Sequence, residues 1–363
     1  ETHRYVSLEA PDVRASAMED PRGFLDWNPP PVIFDEVQYA PDLLPYVKER
    51  IDARRSYSGQ YLLTGSRNLL LMEKVTESLA GRAAMLRLLP LSCRETGAKP
   101  LARLPWEKGG MAKSRPISPS KLWESFLRGG YPELVARPRR DASLWHASYV
   151  QTYLERDVRT LRQVGDLTQF QSFLRALAAR SGQLLDVTGL SRDLGVAVNT
   201  VKAWLSVLEA SYQVFILRPY FKNVGKRLVK SPKVYFSDVG TLCYLAGLKD
   251  AKHAISGPMG GAIMETAVVG ELMRRITGRG EEPQVYFWRT SAGAEVDLVV
   301  DTGKNLVPIE VKLSATPDRS MARNIMAFRK DYGALAAKGY VVHPGDVTLP
   351  LGPDAVALPF VDL

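Results

Sequence analysis

The feature that most constrains how this chain can fold is the run Pro31-Val32-Ile33-Phe34-Asp35-Glu36. Its apolar residues predict a short buried strand, and two adjacent carboxylates follow directly where that strand ends. In nucleoside-triphosphate hydrolysis, the first acid of such a pair holds Mg²⁺ and the second polarises the attacking water. The run therefore predicts a core strand of an α/β layer with a nucleotide site at its end. A strand that ends in a solvated loop is the alternative.

A nucleotide site of this kind also needs a phosphate-binding loop of the form G-x-x-x-x-G-K-[ST] upstream of the strand. The 30 residues before Pro31 contain no such run. Because the backbone and lysine of that loop cradle the β- and γ-phosphates, we expect these 363 residues alone to bind ATP poorly or not at all. The first residue is Glu1 rather than Met, and we expect the parent protein to begin upstream of it.

Composition limits the partners and the metals. The net charge of +9 and the pI near 9.4 favour an anionic partner such as nucleic acid. The two cysteines, Cys93 and Cys243, and four scattered histidines give neither a disulfide framework nor a zinc motif, so a metal site would use oxygen ligands and take Mg²⁺ or Mn²⁺. No apolar run approaches the roughly 18 residues of a membrane span, and there is no signal peptide. We therefore expect a cytoplasmic protein without a membrane partner.

The first hundred residues alternate strand and helix signals, which predicts a parallel sheet in an α/β layer. The predicted helices are Val13 to Trp27, broken at Pro21, and Pro41 to Asp52. The predicted strands are Arg4 to Leu8, Val32 to Phe34, Tyr61 to Ser66 and Leu86 to Leu91.

Two further features near the predicted nucleotide site are candidates for a role in ATP hydrolysis. Thr64-Gly65-Ser66 places small polar side chains at the carboxyl end of a strand, which is the ligand-binding edge of an open α/β sheet. Arg82 follows Leu79-Ala80-Gly81 and is a candidate arginine finger. A finger acting in trans would require a homo-oligomer, whereas one acting in cis would not. The alternative for Arg82 is an ordinary solvated arginine.

Residues 98 to 120 have the composition of a linker, with Gly109-Gly110, prolines and basic residues. Helical periodicity then runs from Leu122 to Ala179. After it, the sequence predicts a short helix at Thr188–Leu194, a turn at 195–197, and a second helix at Thr200–Leu208 capped by Asn199.

Two strand-like runs, Val214 to Leu217 and Val234 to Phe236, follow these helices and enclose a basic segment. A helix-turn-helix followed by a basic hairpin is typical of a winged helix that contacts DNA or RNA. In such a complex Asn199, Thr200 and Lys202 would face the groove. The basic residues of the hairpin are Lys222, Lys226, Arg227, Lys230 and Lys233, of which Lys226, Arg227 and Lys230 would meet phosphates. The alternative is a helical linker with solvated lysines.

The C-terminal third predicts the element order α-β-β-β-α-β, from Ala262 to His343. Side chains alternate along a strand, so Glu310 and Lys312 share one face, and a hairpin can place Asp297 beside Glu310. Two carboxylates with a nearby lysine suit Mg²⁺-dependent phosphodiester hydrolysis, and Glu265 on the preceding helix could complete the set. The order and the D…E-x-K spacing resemble the restriction-endonuclease-like superfamily. An ion-paired cluster on a fold that recognises nucleic acid without cutting it is the alternative.

Runs along most of the chain resemble a prokaryotic AAA-type ATPase family whose members carry a companion C-terminal domain of unassigned function. The matching N-terminal runs are Tyr5-Val6-Ser7-Leu8, Asp20-Pro21-Arg22, Asp35-Glu36-Val37-Gln38, Leu62-Leu63-Thr64-Gly65-Ser66, Glu77-Ser78-Leu79-Ala80-Gly81-Arg82 and Leu89-Pro90-Leu91. The matching C-terminal runs are Gly225-Lys226-Arg227, Lys230-Ser231-Pro232-Lys233 and Tyr235-Phe236-Ser237-Asp238-Val239-Gly240. The departure from the family is the phosphate-binding loop, which these residues lack.

This resemblance implies a P-loop NTPase core that uses ATP and Mg²⁺. It assigns Asp35 to the Mg²⁺-coordinating acid, Glu36 to the catalytic glutamate and Ser66 to the sensor position. The implied domains are an AAA-type core at 1–97, a helical linker at 98–170, a winged helix at 171–237 and a nuclease-like domain at 238–363.

We therefore expect an ATPase coupled to nucleic acid, with DNA as the favoured partner. Two alternatives stay open. One is a non-catalytic DNA-binding or regulatory protein of a toxin–antitoxin or defence system, and the other is a Mg²⁺-dependent nuclease with a regulatory ATPase part.

Overall fold

The computed structural model describes residues 3–65, 78–111, 113, 115–154, 167–220 and 231–363. The chain forms two units that divide between Met85 and Leu86. The first unit is a small α/β layer, and the second holds a set of helices, a two-stranded hairpin and a six-stranded sheet. Among the described helices, none is long and apolar enough to cross a membrane.

The first unit is built on a three-stranded parallel sheet in the order β1-β2-β3. Because parallel neighbours need a crossover connection, helical segments separate the strands in sequence, and the predicted α/β arrangement is confirmed. The strands are β1 (Arg4–Ser7), β2 (Val32–Asp35) and β3 (Tyr61–Leu63). The helices span Pro11–Glu19, Pro21–Trp27 and Leu44–Ala53, with 3₁₀ turns at Val37–Tyr39 and Pro41–Leu43.

The middle strand β2 anchors this unit. Val32 and Phe34 are fully buried and pack in one apolar core with Leu8. Side chains alternate along a strand, so Asp35 points away from the face that buries Phe34. Its Cα pairs with that of Ser7 on β1, and the strand therefore delivers Asp35 to the carboxyl edge of the sheet.

The strand predicted at Leu86–Leu91 is wrong, because this segment is irregular. Leu86 and Leu88 are 73% and 98% exposed, so their apolar side chains have no sheet face to bury them. Pro90 lacks the N–H that a ladder needs, and the next amide, that of Leu91, donates instead to the carbonyl of Gly130 at 2.7 Å.

The second unit begins with helices. The long helical region predicted from Leu122 to Ala179 is divided into shorter helices, because Gly129, Gly130 and Pro132 interrupt it. The helices up to the hairpin span Cys93–Thr96, Pro119–Arg128, Pro132–Ala136, Ala142–Tyr149 (continued by a π-helical turn, Val150–Leu154), Leu167–Ala178, Val187–Leu194 and Val198–Ala210.

The helix–turn–helix and the two strands after it lie where the sequence predicts them. Gly195 ends the first helix in the left-handed conformation that glycine favours, at φ 64°. Strand β4 (Val214–Leu217) then pairs antiparallel with β5 (Lys233–Phe236). The predicted cap at Asn199 is wrong: the second helix starts earlier, its N-cap is Ala197, and Asn199 lies within the first turn.

The C-terminal sheet has the order β10-β11-β9-β8-β7-β6. Strands β6, β7 and β8 form an antiparallel meander, after which a helix returns the chain to β9, parallel to β8. The predicted order α-β-β-β-α-β is confirmed. The strands are β6 (Val285–Arg289), β7 (Glu295–Asp301), β8 (Leu306–Val311), β9 (Gly339–His343), β10 (Leu349–Pro350) and β11 (Ala355–Pro359). The helices are Val239–Leu245, Ala251–Ser256, Gly260–Thr277 and Arg323–Tyr332, with 3₁₀ turns at Arg319–Ala322, Gly333–Leu335 and Phe360–Asp362.

One apolar core joins the helix-turn-helix, the hairpin β4–β5 and the C-terminal sheet. Trp204 of the second helix, Tyr235 of β5, Val268 of the helix Gly260–Thr277 and Ile309 of β8 all belong to it. The hairpin and the sheet are therefore parts of one packed body, which brings the ends of β5, β7 and β8 near one another.

Candidate functional site

Asp35 is held by hydrogen bonds from both neighbouring strands. The hydroxyl of Tyr5 donates to Oδ2 at 2.5 Å, and the hydroxyl of Thr64 donates to Oδ1. The bond from Thr64, followed by that from Tyr5, lowers the pKa of Asp35. Asp35 is therefore a fixed carboxylate at the carboxyl edge of the sheet, where an α/β layer binds its ligand.

Glu36 follows Asp35 in an unusual backbone conformation. Its φ of 56° and ψ of 43° lie in the left-handed region, which few non-glycine residues adopt. Gln38 donates to its carboxylate. Such conformations are found in tight turns at functional sites, and this one turns the chain sharply after β2. Ser66, the predicted sensor, lies outside the described residues.

Arg82 is engaged within the first unit. Its Nε and Nη2 donate to the two carboxylate oxygens of Asp52 at 2.8 and 3.0 Å, a bidentate arrangement. These bonds raise the pKa of Arg82 and lower that of Asp52. The guanidinium is 22% exposed, and a role as an arginine finger would require it to leave Asp52.

The C-terminal candidates meet at the ends of β7 and β8. The antiparallel register pairs Leu298 with Ile309, and one step further along the same register reaches Asp297 and Glu310. Oδ2 of Asp297 accepts the backbone N–H of Val311 at 2.8 Å. The predicted neighbourhood of Asp297 and Glu310 is therefore present in the structure.

Glu310 is a buried carboxylate with one open oxygen. Its Oε2 accepts a hydrogen bond of 2.5 Å from the ammonium of Lys312, whereas its Oε1 has no partner at hydrogen-bond distance among the described residues. Glu310 is 1% exposed, and this burial, followed by the charge of Asp297, raises its pKa to about 7. The nearby ammonium of Lys312 acts in the opposite direction but does not cancel the effect. The side chain of Asn324 also lies near this carboxylate and favours its charged form, which lowers its pKa. A further positive charge beside Oε1 would stabilise the ionised form of this buried carboxylate.

Glu265 lies close enough to Asp297 for the two charges to interact, and burial and Asp297 raise its pKa to about 7. Its Oε1 is already engaged: Lys233 Nζ lies 2.9 Å away, and the Tyr235 hydroxyl donates to it at 2.5 Å. Lys233 also pairs with Glu295 at 2.5 Å.

The position of Lys233 departs from the sequence analysis, which placed it among the basic residues of the hairpin that follows the helix-turn-helix. It is 3% exposed and lies in β5, inside the carboxylate cluster. Its spacing from Tyr235 was the available signal, because residues two apart on a strand share a face. A lysine and a tyrosine on the same face of a buried strand require an anionic partner.

Within the described parts of the chain, no three His, Cys, Asp or Glu side chains are arranged as a metal-binding group. A divalent cation would therefore be held by Asp297 and Glu310 alone among the acids. One or two carboxylates, completed by water and substrate phosphate, are what Mg²⁺ ordinarily takes in proteins.

The predicted nucleic-acid contacts at the start of the second helix face solvent. Asn199 and Lys202 are exposed and Thr200 is partly exposed, so all three are accessible to a partner. Lys226, Arg227 and Lys230 lie outside the described residues.

Three families match this chain in sequence. Residues 1–97 match the AAA domain, residues 119–252 match a domain of unknown function, DUF8612, and residues 260–363 match another, DUF4143.

Similar proteins come from bacteria. An uncharacterized protein of Mycobacterium tuberculosis is 32% identical over 98% of this chain and 76% of its own length, and one of Mycobacterium bovis gives the same values. An uncharacterized protein of Haemophilus influenzae is 22% identical over 85% of this chain and 72% of its own length.

Proposed function

The chain belongs to the family of these uncharacterized mycobacterial proteins and has an AAA domain at its N-terminus, and on that premise we propose that it couples ATP hydrolysis to nucleic-acid cleavage. The AAA domain supports an ATPase-like function. The second unit would bind nucleic acid through its helix-turn-helix and cut a phosphodiester bond at the ends of β7 and β8.

The observation that carries the nuclease proposal is the grouping of Asp297, Glu310 and Lys312. A partly buried acid and a buried one lie on adjacent strands, a lysine follows two residues after the second acid, and among the described residues Oε1 of Glu310 has no hydrogen-bond partner. The order α-β-β-β-α-β, with β9 parallel to β8, resembles restriction-endonuclease-like domains. The order of elements and these three residues both favour metal-dependent hydrolysis of a phosphodiester bond.

The roles of the chain's own residues follow from their charges. A Mg²⁺ ion on Asp297 and Glu310 would supply polarisation of the phosphate and of the attacking water. Lys312 would place its ammonium against the negative charge that develops on the phosphate during attack. The backbone N–H of Val311 fixes the orientation of Asp297, so the site is preorganised.

In the first unit, Asp35 is the proposed Mg²⁺ ligand and Glu36 the proposed general base, with Ser66 as sensor. Support comes from the match to the AAA domain and from the two hydrogen bonds that keep Asp35 ionised. Mg²⁺ would supply charge neutralisation of the phosphates. The test is ATP hydrolysis by the full-length protein, in which Glu36→Gln should abolish turnover while Glu49→Gln should not. Unchanged hydrolysis in Glu36→Gln would refute the assignment.

In the second unit, Asn199, Thr200 and Lys202 are the proposed groove contacts of a winged helix, with Lys226, Arg227 and Lys230 at phosphates. The packing of the hairpin β4–β5 into the same core as the C-terminal sheet supports a joint role, because DNA held by the winged helix would lie near the acids.

Cleavage is tested with supercoiled plasmid and single-stranded DNA in Mg²⁺ and in Mn²⁺. Asp297→Ala and Lys312→Ala should each abolish nicking. Asp301→Ala, at the far end of the same strand, is the matched control and should cut normally. If the well-folded wild-type protein cuts neither substrate in either metal, the nuclease proposal fails. The cluster would then be an ion-paired element of a domain that binds without cutting.

A further inference from the structure

Lys233 enters the carboxylate cluster from a different part of the fold. The acids near it lie on the helix Gly260–Thr277 and on β7, whereas Lys233 begins β5 of the hairpin. Its Nζ lies 2.9 Å from Oε1 of Glu265 and 2.5 Å from Oε1 of Glu295. The side chain is 4% exposed, so this ammonium bridges two carboxylates inside the protein rather than at its surface.

Oε1 of Glu265 and both carboxylate oxygens of Glu295 are engaged by side chains of the protein itself. Oε1 of Glu265 receives both Lys233 and the Tyr235 hydroxyl, the latter at 2.5 Å. Glu295 pairs through Oε2 with Nη1 of Arg289 at 3.1 Å, in addition to its bond with Lys233. A metal ion at this side of the cluster would have to displace an ammonium that both carboxylates already hold.

The other side of the cluster is different. Asp297 accepts a backbone N–H, and Glu310 accepts Lys312 through one oxygen only; in the part of the chain that the structure describes, its buried Oε1 has no hydrogen-bond partner. Because an ionised buried oxygen is costly unless it is paired, the cluster has one open place for a cation, next to Asp297 and Glu310.

We propose that Lys233 is a built-in cation that occupies the Glu265–Glu295 side of the cluster and limits the site to one divalent ion, held by Asp297 and Glu310. This inference rests on the proposed nuclease function and refines it. Lys233 is a positioning residue, because its ammonium takes the place of a second metal ion. Since Lys233 belongs to the hairpin of the proposed winged helix, the charge balance of the acid cluster depends on how that hairpin packs.

The number of bound ions tests this inference directly. Mn²⁺ binding is counted by electron paramagnetic resonance on metal-free protein, with and without Asp35→Asn, and an ion lost with Asp35→Asn belongs to the first unit and is left out of the counts that follow. The wild type should bind one ion, and Lys233→Met should bind two, because an apolar side chain of similar length leaves Glu265 and Glu295 open. Lys304→Met, in the exposed turn between β7 and β8, is the control and should keep one ion. If the wild type binds no ion, the proposed cation site fails. If the wild type and Lys233→Met both bind one, only the role of Lys233 fails.

A second variant decides the question even if Lys233→Met does not fold. In the otherwise native protein, Glu265→Gln should keep the single Mn²⁺ with an affinity within about threefold, because Lys233 keeps the ion away from this acid. Asp297→Asn should lose the ion. Loss of the ion in Glu265→Gln as well would make Glu265 a ligand and overturn the inference.

Discussion

The carboxylate of Asp297 accepts the backbone N–H of Val311 at 2.8 Å, across the strands β7 and β8. Val311 lies between Glu310 and Lys312 in the chain. This bond therefore holds the Asp297 carboxylate close to the backbone that carries Glu310 and Lys312. A side chain that bonds to the neighbouring strand cannot rotate into solvent without losing that bond. The hairpin by itself sets only the register of the backbone. The bond between Asp297 and Val311 also sets the orientation of the Asp297 side chain in the proposed site.

His343 gives a pH dependence that is independent of the carboxylate cluster. It is fully buried at the end of β9, Nδ1 accepts the N–H of Gly345 at 3.1 Å, and Nε2 lies 2.9 Å from the carbonyl of Val347. The ring is therefore neutral with its proton on Nε2. Burial lowers the pKa of His343 below its ordinary value of 6.5. Since the unfolded chain takes up the proton first, the contribution of His343 to the free energy of unfolding should fall as pH falls through 6.5 and below, whereas the raised pKa values of Glu265 and Glu310 act in the opposite direction.

This prediction is checked by denaturant unfolding of the second unit between about pH 5 and pH 8. His343→Gln should remove this contribution, so the free energy of unfolding of the wild type minus that of His343→Gln should fall as pH falls. His253→Gln, a change at an exposed histidine, should retain the wild-type slope. A wild-type slope in His343→Gln would show that other groups cause the acid sensitivity.

Lys202 tests the proposed nucleic-acid surface. It is exposed at the start of the second helix of the helix-turn-helix, next to the proposed groove contacts. Lys202→Glu should weaken binding to a labelled DNA duplex about tenfold at low salt and reduce the salt slope by about 1, because the surface that faces the groove loses a cation close to the DNA. Fluorescence anisotropy over a salt series gives both quantities.

The matched control is Lys249→Glu, the same charge reversal at another exposed lysine of the second unit. Equal losses in the two variants would indicate only the effect of net charge. In that case the helix-turn-helix would have no special part in binding.

The sequence predicted those features that depend on local pattern. Alternation along β7 and β8, with a short turn between them, was enough to bring Asp297 to Glu310, because a short hairpin leaves little freedom of register. Two misses have local causes. Pro90 removes a donor from the supposed strand at 86–91, and the second helix begins before its supposed cap, Asn199.

The main error concerned a partner distant in sequence. Glu265 lies 32 residues from Lys233, and composition alone grouped that lysine with the other basic residues of the hairpin. Hydrophobic periodicity reports which face of an element is buried, but not which charged side chains meet inside. The packing of the hairpin against the helix Gly260–Thr277 is what shows that Lys233 forms ion pairs with Glu265 and Glu295.

The bidentate pair of Arg82 and Asp52 allows a test of the arginine-finger assignment. If the arginine serves only the fold, Arg82→Ala and Asp52→Ala should each destabilise the first unit, and the double variant should lose less than the sum of the two losses. Denaturant unfolding measures this coupling. ATP hydrolysis by the full-length protein supplies the contrast: loss of activity in Arg82→Ala with normal activity in Asp52→Ala would identify Arg82 as a finger.

Asp238 belongs to a run that resembles the family, and the structure gives it a role in the fold. It is 1% exposed, and its Oδ2 accepts the N–H of Thr241 at 2.8 Å, which caps the helix Val239–Leu245. Its Oδ1 accepts the N–H of Gly130 at 2.7 Å, from the loop between two other helices. Gly129 approaches so closely that a Cβ there would lie 2.6 Å from Oδ2. One carboxylate therefore joins a helix end to a loop 108 residues away in sequence.

We expect Asp238→Ala to lower the free energy of unfolding of the second unit by about 2–4 kcal/mol, because it removes three buried hydrogen bonds to one carboxylate, from the Gly130 N–H, the Thr241 N–H and the Thr241 hydroxyl. The matched control is Asp186→Ala, which removes an exposed cap that accepts the N–H of Gly189 at 2.8 Å and should cost about 1 kcal/mol. The difference between the two variants measures what the buried bonds of Asp238 add to an ordinary helix cap. Equal costs in urea unfolding would mean that they add nothing. DNA binding by folded Asp238→Ala should equal that of the wild type, because Asp238 is buried away from solvent; a selective loss of binding would instead give this run a role in recognition.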